Sequence, residues 1–257
     1  MHKPHRYVKR EEENAFYTDN RAFLAVKEAI GRNNSVLIVG EPGCGKTSLM
    51  HSVGHDLYHD DYIVIEISKF AEIEQDTDPE SKKLYLWDNA FGIFNFDISF
   101  TDAMEHYQDI DLLLNDKYSK LIMTCRTSVY KKIEKFNFSF VVQKIDISDP
   151  SLSLNATQKR GLFRHVCSQN DIEVVNELVE LVGCCDNQAF PLMCALYADF
   201  VELQGENAKS FFQNPIKTFL GFLDNLQEES PLTYMCLACV VLESRISYPL
   251  DESYFSE

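Results

Sequence analysis

The chain has 257 residues, 45% of them hydrophobic and 25% charged, which is enough apolar material for one large core or two modest ones and argues against disorder. Its formal net charge is −16 with a pI near 4.8, so phosphate backbones and anionic membrane surfaces repel it. Lys131-Lys132 and Lys159-Arg160 are too short and isolated to make a basic patch, and nucleic acid and membrane are both disfavoured as partners.

The opening stretch MHKPHRYVKREEEN lacks the apolar core of a secretory signal, and no run approaches the length of a membrane span. A cytoplasmic protein is expected. The 8 cysteines agree, because Cys125, Cys167 and Cys194 sit singly inside apolar runs rather than in a disulfide framework. Cys236 and Cys239 have CxxC spacing inside YMCLACVVL, and Cys184 adjoins Cys185. Without a second ligand pair at finger spacing, these read as buried helical thiols rather than zinc ligands. His51, His55 and His59 recur at i, i+4 and i+8 on one helix face, but nothing identifies a further ligand, so they read as a polar face.

In chain order, YTDNRAFLAVKEAI predicts a helix capped by Thr18, Asp19 or Asn20, with Phe23, Val26 and Ile30 on one face. Residues 36–39 predict a buried strand. The next stretch, GEPGCGKTS, fits GxxxxGK[ST] at Gly40, Gly45, Lys46 and Thr47, and a helix is expected from Thr47 to about Tyr58. Strand, glycine loop and helix in that order make a phosphate cradle, because the loop amides and the positive end of the helix converge on an anion. Gly43 and Gly45 let the backbone curl close to the phosphates. Lys46 is placed to reach the β and γ phosphates, and Thr47 to hold Mg²⁺. With Gly40, Cys44 and Ser48 these residues form the expected phosphate-binding set.

YIVIEI at 62–67, KLYLWDN at 83–89, KLIMTC at 120–125 and FSFVVQKIDI at 138–147 predict further strands, and a helical stretch falls around 104–114. Strands separated by helices indicate a parallel sheet. From residue 151 onward three helical segments follow without a confident strand, which marks an appended α-helical domain. TYMCLACVVLESRIS reads as one helix of a further domain that the chain stops inside.

P-loop chemistry needs a second strand that ends in an acid, and LYLWD supplies Asp88 where a parallel sheet presents its ligands. Asn89 follows, where hydrolases of this type carry an acid that polarises water; an amide accepts no proton in that way. Arg126 ends the next strand, and its planar fork suits the oxygens of a γ-phosphate.

FYTDNRA, LYLWDNAFG, SKLIMTCRTSVY, AFPLMCALY and FFQNP, in this order around the P-loop, resemble the STAND P-loop NTPases, the signal-transduction class that includes plant and animal immune receptors. The strongest likeness is to the novel STAND NTPase 3 type of multidomain invertebrate signalling proteins, from about Phe16 onward. The resemblance implies an α/β fold with a parallel P-loop NTPase sheet flanked by helices over 1–150. A helical lid over 151–225 and an incomplete winged-helix domain over 226–257 would follow. It implies Lys46 and Thr47 as Walker A, Asp88 as Walker B, Arg126 as the sensor arginine, Pro191 packed on adenine, and Tyr17 bordering the base from the other side. The implied function is an ATP/ADP-binding switch with Mg²⁺ in innate-immune or cell-death-type signalling. Its protein partners would act through domains outside this chain, and it would form a nucleotide-dependent homo-oligomer. Asn89 departs from the pattern, so ATP hydrolysis is expected to be weak at most, and a nucleotide-bound scaffold or a conventional ATPase stand as alternatives. A GTPase is disfavoured, since no NKxD-type motif follows the P-loop.

Overall fold

The computed structural model describes residues 20–69, 72, 81–92, 110, 114, 118–136, 138–141, 143–204 and 207–236. Tyr17, Thr18, Asp19, Cys239, nearly all of the helix expected over 104–114 and most of the expected winged-helix segment lie outside them. The chain divides into two compact units, residues 1–200 and 201–257.

The first unit is built on five parallel strands: β1 (Ser35–Gly40), β2 (Ile63–Ile67), β3 (Lys83–Trp87), β4 (Ser119–Arg126) and β5 (Gln143–Asp146). They lie in the order β2-β3-β4-β1-β5. Every residue of β1 and of β3 is buried, as expected of strands covered on both faces. Alternate residues serve opposite layers. Val36, Ile38, Leu84, Leu86 and Ile122 pack beneath two helices, α1 (Arg21–Arg32) and α2 (Lys46–His59), meeting Phe23, Val26, Ile30, Leu49 and Val53. Leu37, Val39, Tyr85, Trp87, Leu121 and Met123 serve the other face, with Val129 and Ile133 from α3 (Thr127–Ile133).

Asn20 caps α1, its Oδ1 accepting from the Ala22 N–H at 2.8 Å. At the other end of α1, Lys120 of β4 reaches across and donates to the carbonyls of Ile30 and Asn33 at 2.5 and 3.1 Å. Burial lowers the Lys120 pKa, but these terminal carbonyls give the ammonium partners.

The strand expected over 138–147 is shorter in the structure, where only Gln143–Asp146 pair, alongside β1. Ser139 and Phe140 lie in a turn. Here burial of aromatic surface outweighs ladder pairing. Phe138 stacks on Phe91 with ring centres 5.4 Å apart, Phe140 lies 6.3 Å from Phe91, and the Ser35 hydroxyl donates to the Phe140 carbonyl.

Three helices complete the unit: α4 (Ala156–Gln169), α5 (Asn176–Gly183) and α6 (Phe190–Asp199). Among the described residues after 151 there is no strand. α4 opens on a reciprocal capping box between Asn155 and Gln158. α5 begins at Asn176, after an extended Val175 and a turn in which Asp171 takes a left-handed φ of +55°. Cys125, Cys167, Cys185 and Cys194 are buried, and burial raises their thiol pKa values, to about 11 for Cys167 and about 12 for Cys125. They behave as small core hydrophobes. Cys184 and Cys236 differ from expectation in being exposed; Cys236 sits in a helical stretch where Leu232 and Met235 are exposed as well.

The second unit holds α7 (Asn207–Gln213) and α8 (Pro215–Glu229). FFQNP is their junction: the Asn214 side chain caps α8, Pro215 opens it, and the Phe211 and Phe219 rings meet edge to face at 5.7 Å. Among the described residues no helix is long and apolar enough to cross a membrane.

Candidate nucleotide site

Parallel pairing lines up the strand ends that carry the motifs. Gly40 lies opposite Arg126 and Trp87 opposite Met123, so Asp88 and Arg126 emerge beside the loop that leaves β1. In that loop Gly43 and Gly45 take φ of +78° and +93°, values that L side chains rarely adopt. Gly40 is needed for space: a Cβ there would come within 2.7 Å of the Cys44 Sγ and 2.9 Å of Ile147.

Lys46 is buried on the first turn of α2, and its ammonium donates to the carbonyls of Gly40 at 3.0 Å and Glu41 at 2.8 Å. The charge is thus held inside the curl of the loop. Cys44 is half-buried with its Sγ 3.8 Å from that ammonium; burial raises its pKa, outweighing the lowering by Lys46. Ser48 is half-buried, its carbonyl accepting from Ser52. Thr47 is exposed, and its hydroxyl donates to Asp88 Oδ1 at 3.0 Å.

Asp88 is held from three sides. Besides Thr47, the hydroxyl of Thr124 donates to its Oδ1, and the Asn89 carboxamide donates to its Oδ2 at 3.0 Å. Thr124 is fully buried in β4 and also accepts the Asn89 N–H at 2.8 Å, while its carbonyl accepts from Ala90. Asn89 itself takes a φ of +50°, which asparagine tolerates better than most residues. Sequence reading missed Thr124. Its only signal is a hydroxyl residue inside the apolar run LIMTC, two positions before Arg126.

Pro191 stands on the first turn of α6, where a missing N–H costs nothing. It borders a cavity of about 180 Å³ together with Cys44 and Gly45 of the loop, Leu49 of α2, and Phe190. Asn20, Ile147, Ser148 and Lys159 line it too, and sequence reading assigned none of them. Helix and loop touch directly, for the N–H of Leu192 donates to the Gly43 carbonyl at 3.2 Å. The Ser148 hydroxyl accepts from the Glu41 N–H at 3.2 Å, pinning the loop on its other side.

The expected polar face of α2 is present. His51 lies 3.3 Å from the Glu66 carboxylate, and the His55 and His59 rings meet at 4.6 Å. Among the described residues no group of three or more His, Cys, Asp or Glu side chains is placed to hold a metal ion.

Residues 17–167, more than half of the chain, match the family Novel STAND NTPase 3. The chain belongs to this family. The novel STAND NTPase 3 fold accounts for the parallel sheet and glycine loop. A curated relative, the chromosomal replication initiator protein DnaA of Lachnoclostridium phytofermentans, is 36% identical over 113 residues, which are 41% of this chain and 21% of that protein. The match therefore spans about a fifth of the relative's length. Among solved structures, a DNA replication initiation factor superposes with a TM-score of 0.51 at 16% identity, covering 87% of this chain and 69% of that one. AMPPCP-bound DnaA from Aquifex aeolicus gives a TM-score of 0.44 at 14% identity, covering 86% and 70%. The likeness at 0.51 is one of fold: a parallel sheet flanked by helices, as the novel STAND NTPase 3 chain has.

Two glycines make opposite predictions. Gly43→Ala forces a side chain into a left-handed conformation, with its Cβ 2.8 Å from that of Leu192, and is expected to cost about 1–3 kcal/mol of stability. Gly31→Ala, in α1 with nothing within 4 Å of the new Cβ, is expected to gain about 0.5–1 kcal/mol. Urea midpoints of the two variants check both signs.

Proposed function

We propose that this chain is the adenine-nucleotide module of a signalling switch, in which ADP favours one arrangement of loop and lid and ATP with Mg²⁺ another. The observation that carries this reading is the hydrogen bond from the Leu192 N–H to the Gly43 carbonyl. Through it the phosphate loop and the helix bearing Pro191 are one mechanical piece. A nucleotide that reshapes the loop then acts on the lid without an intermediary.

Lys46, moving off the Gly40 and Glu41 carbonyls, binds the β and γ phosphates together with the amides of residues 43–48. Thr47 and Asp88 already lie within hydrogen-bonding distance of each other, so one small hard cation fits both oxygens. Mg²⁺ at these ligands would supply neutralisation of the phosphate charge. Thr124 and Asn89 hold the Asp88 carboxylate in place for it. Pro191 and Phe190 offer an apolar wall to the adenine, and Arg126, beside Gly40, reaches the third phosphate and so distinguishes ATP from ADP. A ligand with equal affinity for both arrangements shifts nothing, so discrimination must lie with groups near the γ-phosphate.

Asn89 also supports a second reading, a scaffold that keeps its nucleotide. Its carboxamide is spent on Asp88 and cannot take a proton from water, so turnover is weak at most. The signalling setting, innate-immune or cell-death-type, the protein partners outside this chain, nucleotide-dependent self-association and a cytoplasmic location all belong to the proposal. The DNA role in the relative's name is not carried over, given a matched fifth of that protein and a net charge of −16 here.

Lys46→Ala is expected to weaken Mg²⁺-ADP binding about tenfold to a hundredfold in calorimetry, since a charge-assisted phosphate contact is lost; equal binding by both proteins removes the phosphate cradle from the account. Asn89→Asp restores an acid where one is absent and is expected to raise the single-turnover hydrolysis rate about tenfold or more under saturating Mg²⁺. An unchanged rate favours the scaffold. Arg126→Ala is expected to keep ADP binding but erase the difference in hydrogen exchange of residues 186–199 between the ADP and ATP forms. If that difference persists at wild-type size, Arg126 is not the sensor.

A further inference from the structure

We propose that Asn20 reads the base or sugar of the bound nucleotide by donating a hydrogen bond from its carboxamide nitrogen. This rests on the reading of the cavity beside the P-loop as the nucleoside end of the site. Asn20 is only 6% exposed and lines that cavity with Gly45, Leu49, Ser148, Phe190 and Pro191. Its Oδ1 is committed to the Ala22 N–H at 2.8 Å, which fixes the plane of the amide and leaves the two N–H groups on the other side. Among the described residues none accepts from that nitrogen.

Of the other polar side chains of the wall, Asn187 is arranged alike, its Oδ1 accepting from the Ala189 N–H at 2.8 Å, but it is only half-buried; Ser148 and Lys159 contrast with Asn20. The Ser148 hydroxyl is engaged by the Glu41 N–H, and the Lys159 ammonium donates to the Cys185 carbonyl at 2.5 Å. Asn20 is thus a donor from a buried residue on a wall of mixed polar and apolar side chains, the kind of placed polar group by which small-molecule sites fix orientation. Its nitrogen stays open to the cavity, where a ligand acceptor can meet it. Because its oxygen is occupied, Asn20 presents donors only. It therefore matches the ring nitrogens of a purine or the oxygens of a ribose, and cannot read the amino group of adenine.

Capping α1 does not require the amide nitrogen, so the two roles separate. Asn20→Ser keeps a good N-cap acceptor but withdraws the donor from the cavity; Asn20→Asp keeps the cap and abolishes the donor outright. Calorimetry on the whole chain would use Mg²⁺-ADP, its 1-deaza, 3-deaza and 7-deaza analogues, and 2′-deoxy- and 3′-deoxy-ADP. Asn20→Ser is expected to bind ADP about tenfold more weakly while its nucleotide-free melting temperature stays at the wild-type value. One analogue is expected to bind wild type about tenfold more weakly than ADP, yet bind Asn20→Ser no more weakly than ADP, and that analogue names the acceptor. If Asn20→Ser does not fold, Asn20→Asp carries the same analogue comparison. Wild-type affinity for ADP in a folded variant, or identical analogue losses in both proteins, overturns the assignment of Asn20 alone. No binding of any nucleotide by wild type overturns the nucleotide reading of the site and this inference with it.

Discussion

The pairing of β3 on β4 places Trp87 against Met123, and a slip of one residue would turn Thr124 away from Asp88 and send its hydroxyl into the opposite apolar layer. Everything at the candidate site depends on that register and on its neighbour, Gly40 against Arg126. The alternating sets that fill the two layers specify both. Leu84, Leu86 and Ile122 need the α1 and α2 side, while Tyr85, Trp87 and Met123 need the other. The hydrophobic pattern of the sheet is thus also the device that aims its polar ends. Burying Thr124 completely is acceptable because its hydroxyl both donates, to Asp88, and accepts, from the Asn89 N–H.

Asn89 separates binding from chemistry. An acid at this position would set a second negative charge next to Asp88, whereas the amide donates to Asp88 at 3.0 Å. The observed side chain therefore stabilises the carboxylate at the expense of a base. That choice suits the switch proposed above, in which the bound state would carry the information. The left-handed φ at Asn89 points the same way, because asparagine takes that conformation at lower cost than glutamate would.

How much of this was legible in the sequence depended on whether the relevant residues are contiguous. Gly40 to Thr47, LYLWD and LIMTCR each hold their chemistry within a few positions, so strand, loop and ligand could be read together. The cavity wall could not, since Asn20, Leu49, Ser148, Lys159 and Pro191 come from five separate segments and only the fold unites them. Thr124 was hidden in the same way: its role exists only across a strand pair. Residues 138–141 were misread because β-branched and aromatic residues suit a strand and an aromatic cluster equally well, and the Phe91 ring decided the matter.

The same distinction bears on how the glycine loop meets α6. Gly43 carries no side chain, takes a conformation that L side chains rarely adopt, and lies so close to Leu192 that a Cβ would overlap its side chain. These are two demands for glycine at one position, and only the conformational one is common to phosphate loops in general. The second arises because the amide of Leu192 must reach the Gly43 carbonyl. In the proposed switch, without that contact, the loop and α6 would respond to a nucleotide separately. With it, a change of φ or ψ at Gly43 alters the position of the acceptor that holds α6, and Pro191, one residue before Leu192, shifts with it. In the proposed switch, coupling of this kind needs no long pathway, because the loop that would meet the phosphates and the contact to α6 share Gly43.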